Sequence, residues 1–354
     1  NRDMARRQLG HGRGGRMKIE KDSAEVTAGV RHGYTLGGPV SLTVVNRDYA
    51  NWEERMNPWP VEADVAEVHT PRPGHADLAG VMKFGFSDVR NVLERASARE
   101  TAARVAGGAL AKGFLRAVGV EVVSHVIQIN SVRAPEYDEL VLGDFAAVDE
   151  SPVRCLDDEA GRAMVSEITT LRKRNESLGG VFELRAFGLV PGLGSHVSWE
   201  ERMDGRIGMA ILSIQSVKGC GIGDGFDLAG RPGSEAHDEI FFDDARGWYR
   251  ETNRSGGVEG GMTTGEPLIV RAAAKPLPTL TKPLRTVDIA THEPAQALRE
   301  RTDSAVVPAA GVVGEAMLAI VLASAYREKF GGDHIDDVLA ALAAYERRIG
   351  WVRR

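Results

Sequence analysis

RPGHADLAGVMKFGFSDVRNVLERASARETAARVAGGALAK, residues 72–112, is the stretch whose pattern decides the fold. Over residues 87–117 the apolar positions Val89, Val92, Leu93, Ala96, Ala102, Val105, Ala106, Leu110 and Phe114 recur at helical spacing. That spacing predicts one long helix with a face turned to a core. Ser87 is placed to cap its start, and Gly119 to end it. On this helix Arg95 and Arg99 stand four apart on one face, with Ser97 between them in sequence. Just upstream, Arg72 precedes a Pro73-Gly74-His75 turn.

Outward from this stretch the pattern mixes two periods. Residues 39–45, 120–129, 181–187 and 267–273 read as strands. Residues 163–171, 207–214, 312–326 and 335–349 read as helices. Strands and helices come in groups rather than in strict βαβ alternation, so the expected class is α+β. No repeat and no low-complexity linker divides the 354 residues, which predicts one large domain over 1–354. Glycine clusters at 10–15, 37–38, 179–180, 188–194, 219–225 and 256–261 mark turns, or loops whose backbone can approach a ligand closely.

The net charge of -6 argues against broad attraction to nucleic acid or an anionic membrane, although it limits only the long-range field. Two distant cysteines, Cys155 and Cys220, make no disulfide framework or zinc motif and fit a reducing cytosol. The apolar run 311–326 is interrupted by Glu315 and reads as too short to span a bilayer. The first twenty residues are basic and polar, unlike a signal peptide, and begin at Asn1 without a methionine, as a fragment would.

GCGIGDGF, residues 219–226, lacks the dinucleotide spacing and a Walker lysine, so a turn is the expected reading. The nine histidines give no HExxH, and the consecutive His237-Asp238-Glu239 is a poor metal cradle, so no metal site is expected. No GxSxG elbow occurs, and Ser97, inside the predicted helix, is a poor nucleophile. What remains is a set of cations in glycine- and proline-bounded loops. Arg6, Arg7, Arg13 and Arg16 surround Gly10 to Gly15; Arg72, Arg95, Arg99, Lys275 and the Arg301/Asp303 pair complete it. Planar guanidinium forks suit carboxylate and phosphate, so the set reads as a pocket for a small polyanion. A nucleotide would suit it equally. An RNA-binding arm at residues 6–16 is a weaker alternative, given the acidic net charge and no interleaved aromatics there.

Residues 72–112 resemble the central signature of chorismate synthases. RRQLGHGRGGRM (6–17), RHGYTLGGPVSL (31–42), SPVRCLD, SLGGVFE, GLGS, IQSVKGCGIGDGF (214–226), GSEAHDE, TNRSGGVEGGMTTGEPLIVRAAAKP (252–276), RTDSAVVPAAGVVGEAM (301–317) and KFGGD resemble further blocks of that family, in the family's order. The likeness runs from Arg6 to Asp333.

This resemblance implies an α+β fold with helices layered between antiparallel β-sheets, assembled as a homotetramer. It also implies a cytoplasmic lyase that converts 5-enolpyruvylshikimate 3-phosphate to chorismate and phosphate with reduced FMN, closing the shared route to the aromatic amino acids. Residue by residue, His75 and Asp303 match catalytic positions. Arg95, Ala96, Ser97, Gln215, Ser216, Gly260, Lys275, Pro276, Leu277, Pro278, Thr279 and Arg301 match flavin positions. Arg7 and Arg13 match substrate or NADPH positions, and Arg72 and Arg99 are candidates for the substrate's anions. No reductase module resembles any part of the chain, so an external flavin reductase is the expected electron source, with NADPH as indirect reductant. Two departures stand out. The family's GESHG segment, whose histidine protonates the leaving phosphate, is absent from this sequence, which leaves a catalytically impaired flavin- or anion-binding relative as the alternative. Pro278 stands where the family often has serine.

Overall fold

A computed structural model describes residues 1–14, 21–62, 65–137, 139–300 and 302–352. Its centre is an antiparallel five-stranded sheet built from β1 (Glu121–Ile129), β2 (Val132–Arg133), β3 (Gly180–Phe187), β4 (Val217–Ile222) and β5 (Leu268–Ala274), in the order β2-β1-β3-β5-β4. Register follows the two-residue period: Ser124 pairs with Leu184, which pairs in turn with Val270. This row therefore shares one face, with Phe182 and Ala272 beside it, all buried.

On that face lie α1 (Arg2–Gln8), α4 (Thr101–Ala117) and α7 (Val307–Phe330). Beyond α4 sits the antiparallel ribbon Ala24–Ala28 with Ser41–Val44, whose Leu42 and Val44 pack on the core. Helices thus lie between two antiparallel layers, as expected, although the outer layer is only a ribbon among the described residues. The remaining longer helices among the described residues are α2 (Asp77–Phe84), α3 (Arg90–Arg95), α5 (Asp158–Lys173), α6 (Met203–Leu212) and α8 (Ile335–Ile349), beside a single turn at Gly233–Ala236.

The structure corrects two expectations. The predicted helix over 87–117 is broken into α3, a 3₁₀ turn at Ala98–Glu100, and α4. Ser97 is extended at the break (φ -60°, ψ 136°), and its hydroxyl accepts from the Arg99 amide. The Ala98 carbonyl is claimed by the Thr101 hydroxyl at 2.6 Å and the Arg7 guanidinium at 3.2 Å, so local side-chain bonds displace the helical ladder. Arg95 and Arg99 consequently share no helix face. Nor does Ser87 cap α3: it donates to Glu67, while Asp88 accepts from the Arg90 and Val68 amides.

The second correction concerns the apolar run. It belongs to a helix of 24 residues, about 36 Å long, so length does not exclude a bilayer. What accounts for its all-round apolarity is burial between the sheet and α4.

The crossing of α4 and α7 is tight. A Cβ built at Gly108 would meet the Ala316 Cβ at 2.3 Å, whereas one built at Gly113, on the same helix, would meet nothing. The same substitution should therefore have opposite signs at the two sites. Gly108→Ala is expected to destabilise by about 1–3 kcal/mol through overpacking. Gly113→Ala should stabilise by about 0.5–1 kcal/mol through helix propensity. Urea unfolding of the two variants measures both.

Candidate active site

A cleft of about 810 Å³ opens at the end of α7, within the size range of ligand sites. Its walls come from the 10–14 loop, the segment 46–56, the turn before α2, the α3–α4 break, residues 214–216 and 275–279, and the segment entering α7.

Three residues of RPGHAD fold onto one another. Asp77 opens α2 and is fully buried, and its Oδ2 accepts from the Arg72 amide at 3.0 Å and from Arg72 Nε at 2.9 Å. Its Oδ1 lies 2.5 Å from His75 Nδ1. Arg72 Nη2 also lies 3.0 Å from Nδ1, but the shorter contact to a carboxylate assigns the Nδ1 proton to Asp77. Nε2, which lies 3.3 Å from the same Arg72 Nη2, is then the ring atom that can exchange a proton. Burial alone would raise the Asp77 carboxyl, but hydrogen bonds from His75 and Arg72 outweigh it and hold the group well below its ordinary 3.8. A depressed carboxylate contributes stability above its unfolded value and loses it as the pH falls. The stability deficit of Asp77→Asn relative to wild type should therefore be full above about pH 4 and narrow below it, as urea unfolding across pH 3–7 would show.

The guanidiniums converge on the cleft, yet each is already matched. Asp22 holds both Arg7 (3.2 Å) and Arg99. Asp303 holds Arg13 at 2.9 Å through Oδ2 and the Gly14 amide through Oδ1. Arg72 is held by Asp77, and its Nη1 donates to Thr279 at 2.9 Å. The cleft is thus a set of arginine–carboxylate pairs rather than a bare cationic hole. A guanidinium can keep a carboxylate on one edge and meet a second anion on another.

Next to His75 in the turn, the Gly74 carbonyl accepts from Lys275, and burial, then Lys218, pushes the Lys275 ammonium below its ordinary value. The Lys275 amide donates to the Ser216 carbonyl at 2.9 Å, while the Leu277 carbonyl accepts from Ser177. Ser216 itself sits at φ +72°, unusual for a side-chain-bearing residue and typical of functional sites. Gln215 donates to Glu100, but its buried Oε1 has no hydrogen-bond partner among the described residues.

Ala96, Ser97, Leu277, Pro278 and Thr279 also line the cleft, as do Arg7, Arg13, Arg72 and Arg99. Arg95 is exposed outside the lining, and Pro276 lies between two lining residues without joining them. Gly260 turns the Val258–Glu259/Met262–Thr263 hairpin, where its neighbour Gly261 accepts from the Met203 amide, so this chain does not bring it into the cleft. Arg16 and Arg301 lie outside the described residues.

Sequence reasoning missed Asp77, although it stands two residues from His75. It also missed Asn46, Tyr49, Trp52 and Met56, which form one wall. Aromatic side chains within the charged NRDYANWEERM segment (46–56) were the only available signal.

A helix-on-sheet core, a histidine oriented by a buried carboxylate, and a cleft of paired arginines define an enzyme class that handles a small polyanion beside a cofactor-sized space. The chain belongs to the chorismate synthase family, whose model matches residues 1–326. It is 53% identical over 352 residues to the chorismate synthase of Rubrobacter xylanophilus, covering 99% of this chain and 89% of that protein. Identity to the chorismate synthase of Symbiobacterium thermophilum is 54% over 356 residues, covering 99% of this chain and 91% of the relative. A crystal structure of a chorismate synthase superposes with a TM-score of 0.78 at 38% identity, covering 99% of this chain and 88% of that one.

Proposed function

We propose that this chain is a lyase converting 5-enolpyruvylshikimate 3-phosphate to chorismate and inorganic phosphate, with reduced FMN held in the same cleft. The observation that carries the reading is the His75–Asp77–Arg72 cluster facing paired arginines across a space of about 810 Å³. No observation among the described residues favours the impaired relative.

The cleft residues fit a flavin. The buried Gln215 Oε1, unpartnered among the described residues, can accept from a flavin N–H, and such an atom is costly to leave unmatched. Ser216, Lys275, Leu277, Pro278, Thr279, Ala96 and Ser97 would complete the cradle. Pro278 supplies no hydroxyl there. Bound there, reduced FMN would supply the one-electron chemistry that helps phosphate depart.

The rest falls to the protein. The reaction breaks the phosphate ester C–O bond and a ring C–H bond on the opposite face, and places a second double bond in the ring. Arg7, Arg13 and Arg99 hold the phosphate and carboxylates, whose burial without cations would be prohibitive. His75, its Nδ1–H held by Asp77, keeps Nε2 as the ring atom that takes up or releases a proton. Asp303, fixed by Arg13 and Gly14, is the carboxylate that moves the ring proton. We further assign the chain to a cytoplasmic homotetramer that works as one domain per subunit and receives reduced flavin from an external reductase, ultimately from NADPH.

Anaerobic incubation of the substrate with the chain and dithionite-reduced FMN should release chorismate and phosphate. Release with oxidised FMN alone, or none with the reduced form, would contradict this reading.

A further inference from the structure

Arg90 stands behind the cleft wall at the first position of α3 and is absent from the lining. Its direction is fixed before its side chain acts. Asp88 anchors its amide at 2.8 Å, and the fully buried Val89 plugs a small cluster with Val81 and Val92. From there the guanidinium reaches three lining side chains that belong to three separate segments. Nη1 donates to Glu94 at 2.9 Å, and Nη2 donates to Glu300 at 3.1 Å. The guanidinium carbon sits 5.1 Å from the centre of the Trp52 ring. The side chain is 12% exposed, so water screens these contacts only weakly.

Glu94 and Glu300 line a cleft whose proposed substrate carries a phosphate and two carboxylates. Uncompensated, they would repel it. Trp52 is held from its other edge by Asp48, which is itself nearly buried, through its indole N–H at 3.2 Å.

We propose that Arg90 is a positioning residue for the reaction: it neutralises the two cleft carboxylates and pins the 46–56 wall, through Trp52, to Glu300. The proposal rests on the functional reading for its substrate. Its two halves separate experimentally.

The test compares wild type, Arg90→Gln, and the triple variant Arg90→Gln/Glu94→Gln/Glu300→Gln. Two readouts are used: steady-state turnover with reduced FMN, and backbone hydrogen exchange of residues 46–56 in the protein alone. Arg90→Gln should raise KM for the substrate by about 10- to 100-fold, with kcat much less affected. The triple variant, which removes the uncompensated acids, should recover most of that KM. Exchange of 46–56 should be faster in both variants, because neither restores the contact with Trp52. A purely structural role would depress kcat and stability in both variants without rescue. Wild-type KM and wild-type exchange in Arg90→Gln would overturn the proposal. Absence of wild-type turnover would overturn the functional reading and the electrostatic half with it, and unchanged exchange would then overturn the positioning half.

Discussion

Replacing Glu315 with alanine is expected to cost about 3–5 kcal/mol of folding stability, a larger loss than any single contact in the cleft would cause. Glu315 is fully buried on α7, and its carboxylate is the meeting point of four elements. Oε1 accepts from Arg6 at 2.9 Å, Ser124 at 2.6 Å and Arg154 at 3.1 Å, and Oε2 accepts from Arg6 at 2.7 Å and from Lys112. Burial would raise this carboxyl, but Lys112 and Arg6, then Arg154, hold it far below the ordinary range. Removing it leaves three cations in the core with Asp3 and Asp149 as their remaining carboxylate partners among the described residues. The glutamine variant should be nearly as costly, because shape without charge leaves the cations uncompensated. Denaturant unfolding measures both, and a loss below about 1 kcal/mol would show that the cluster relaxes or hydrates instead. Because α1 carries Arg7 and α7 begins at the cleft, the variants should also bind FMN more weakly.

The second large effect concerns turnover. His75→Ala is expected to reduce kcat by about 10²–10⁴-fold, the usual cost of losing a positioned proton-exchanging group. Asp77→Asn should fall in the same direction. The amide can no longer accept both His75 Nδ1–H and the Arg72 bonds, so the ring loses its assigned tautomer. Steady-state kinetics at saturating reduced FMN would measure both. If Asp77→Asn kept full activity while His75→Ala lost it, Asp77 would have no role in orienting the ring.

Much of this architecture could be read in the sequence. The central strands alternate because one face meets α7, so periodicity found β1, β3 and β5 within a residue or two. Helix α8 was legible to its ends because its apolar stripe and terminal Gly350 are local signals. The break at Ala96–Ser97 was not. Alanine and serine are compatible with helix, and one of the two side chains that claim the Ala98 carbonyl, Arg7, is 91 residues away in sequence. Glu315 looked like an interruption in an apolar run, because its partners at Arg6, Lys112 and Arg154 are distant in the chain. The RPGHAD cluster was partly legible: its residues are adjacent, but only the fold buries Asp77 beneath His75. The Trp52 wall had no periodicity to reveal it. Gly260 turns a hairpin outside the cleft lining, and no local signal in its sequence says which way a hairpin faces.

The most direct measurement supplies the substrate in large excess over a small, known amount of reduced FMN under strictly anaerobic conditions, and follows chorismate and phosphate together. The expected result is equal amounts of both products, exceeding the flavin many-fold, with the flavin still reduced at the end. Product formation that stops at one equivalent of flavin, or phosphate release without chorismate, would contradict the assignment of this chain as a flavin-dependent lyase.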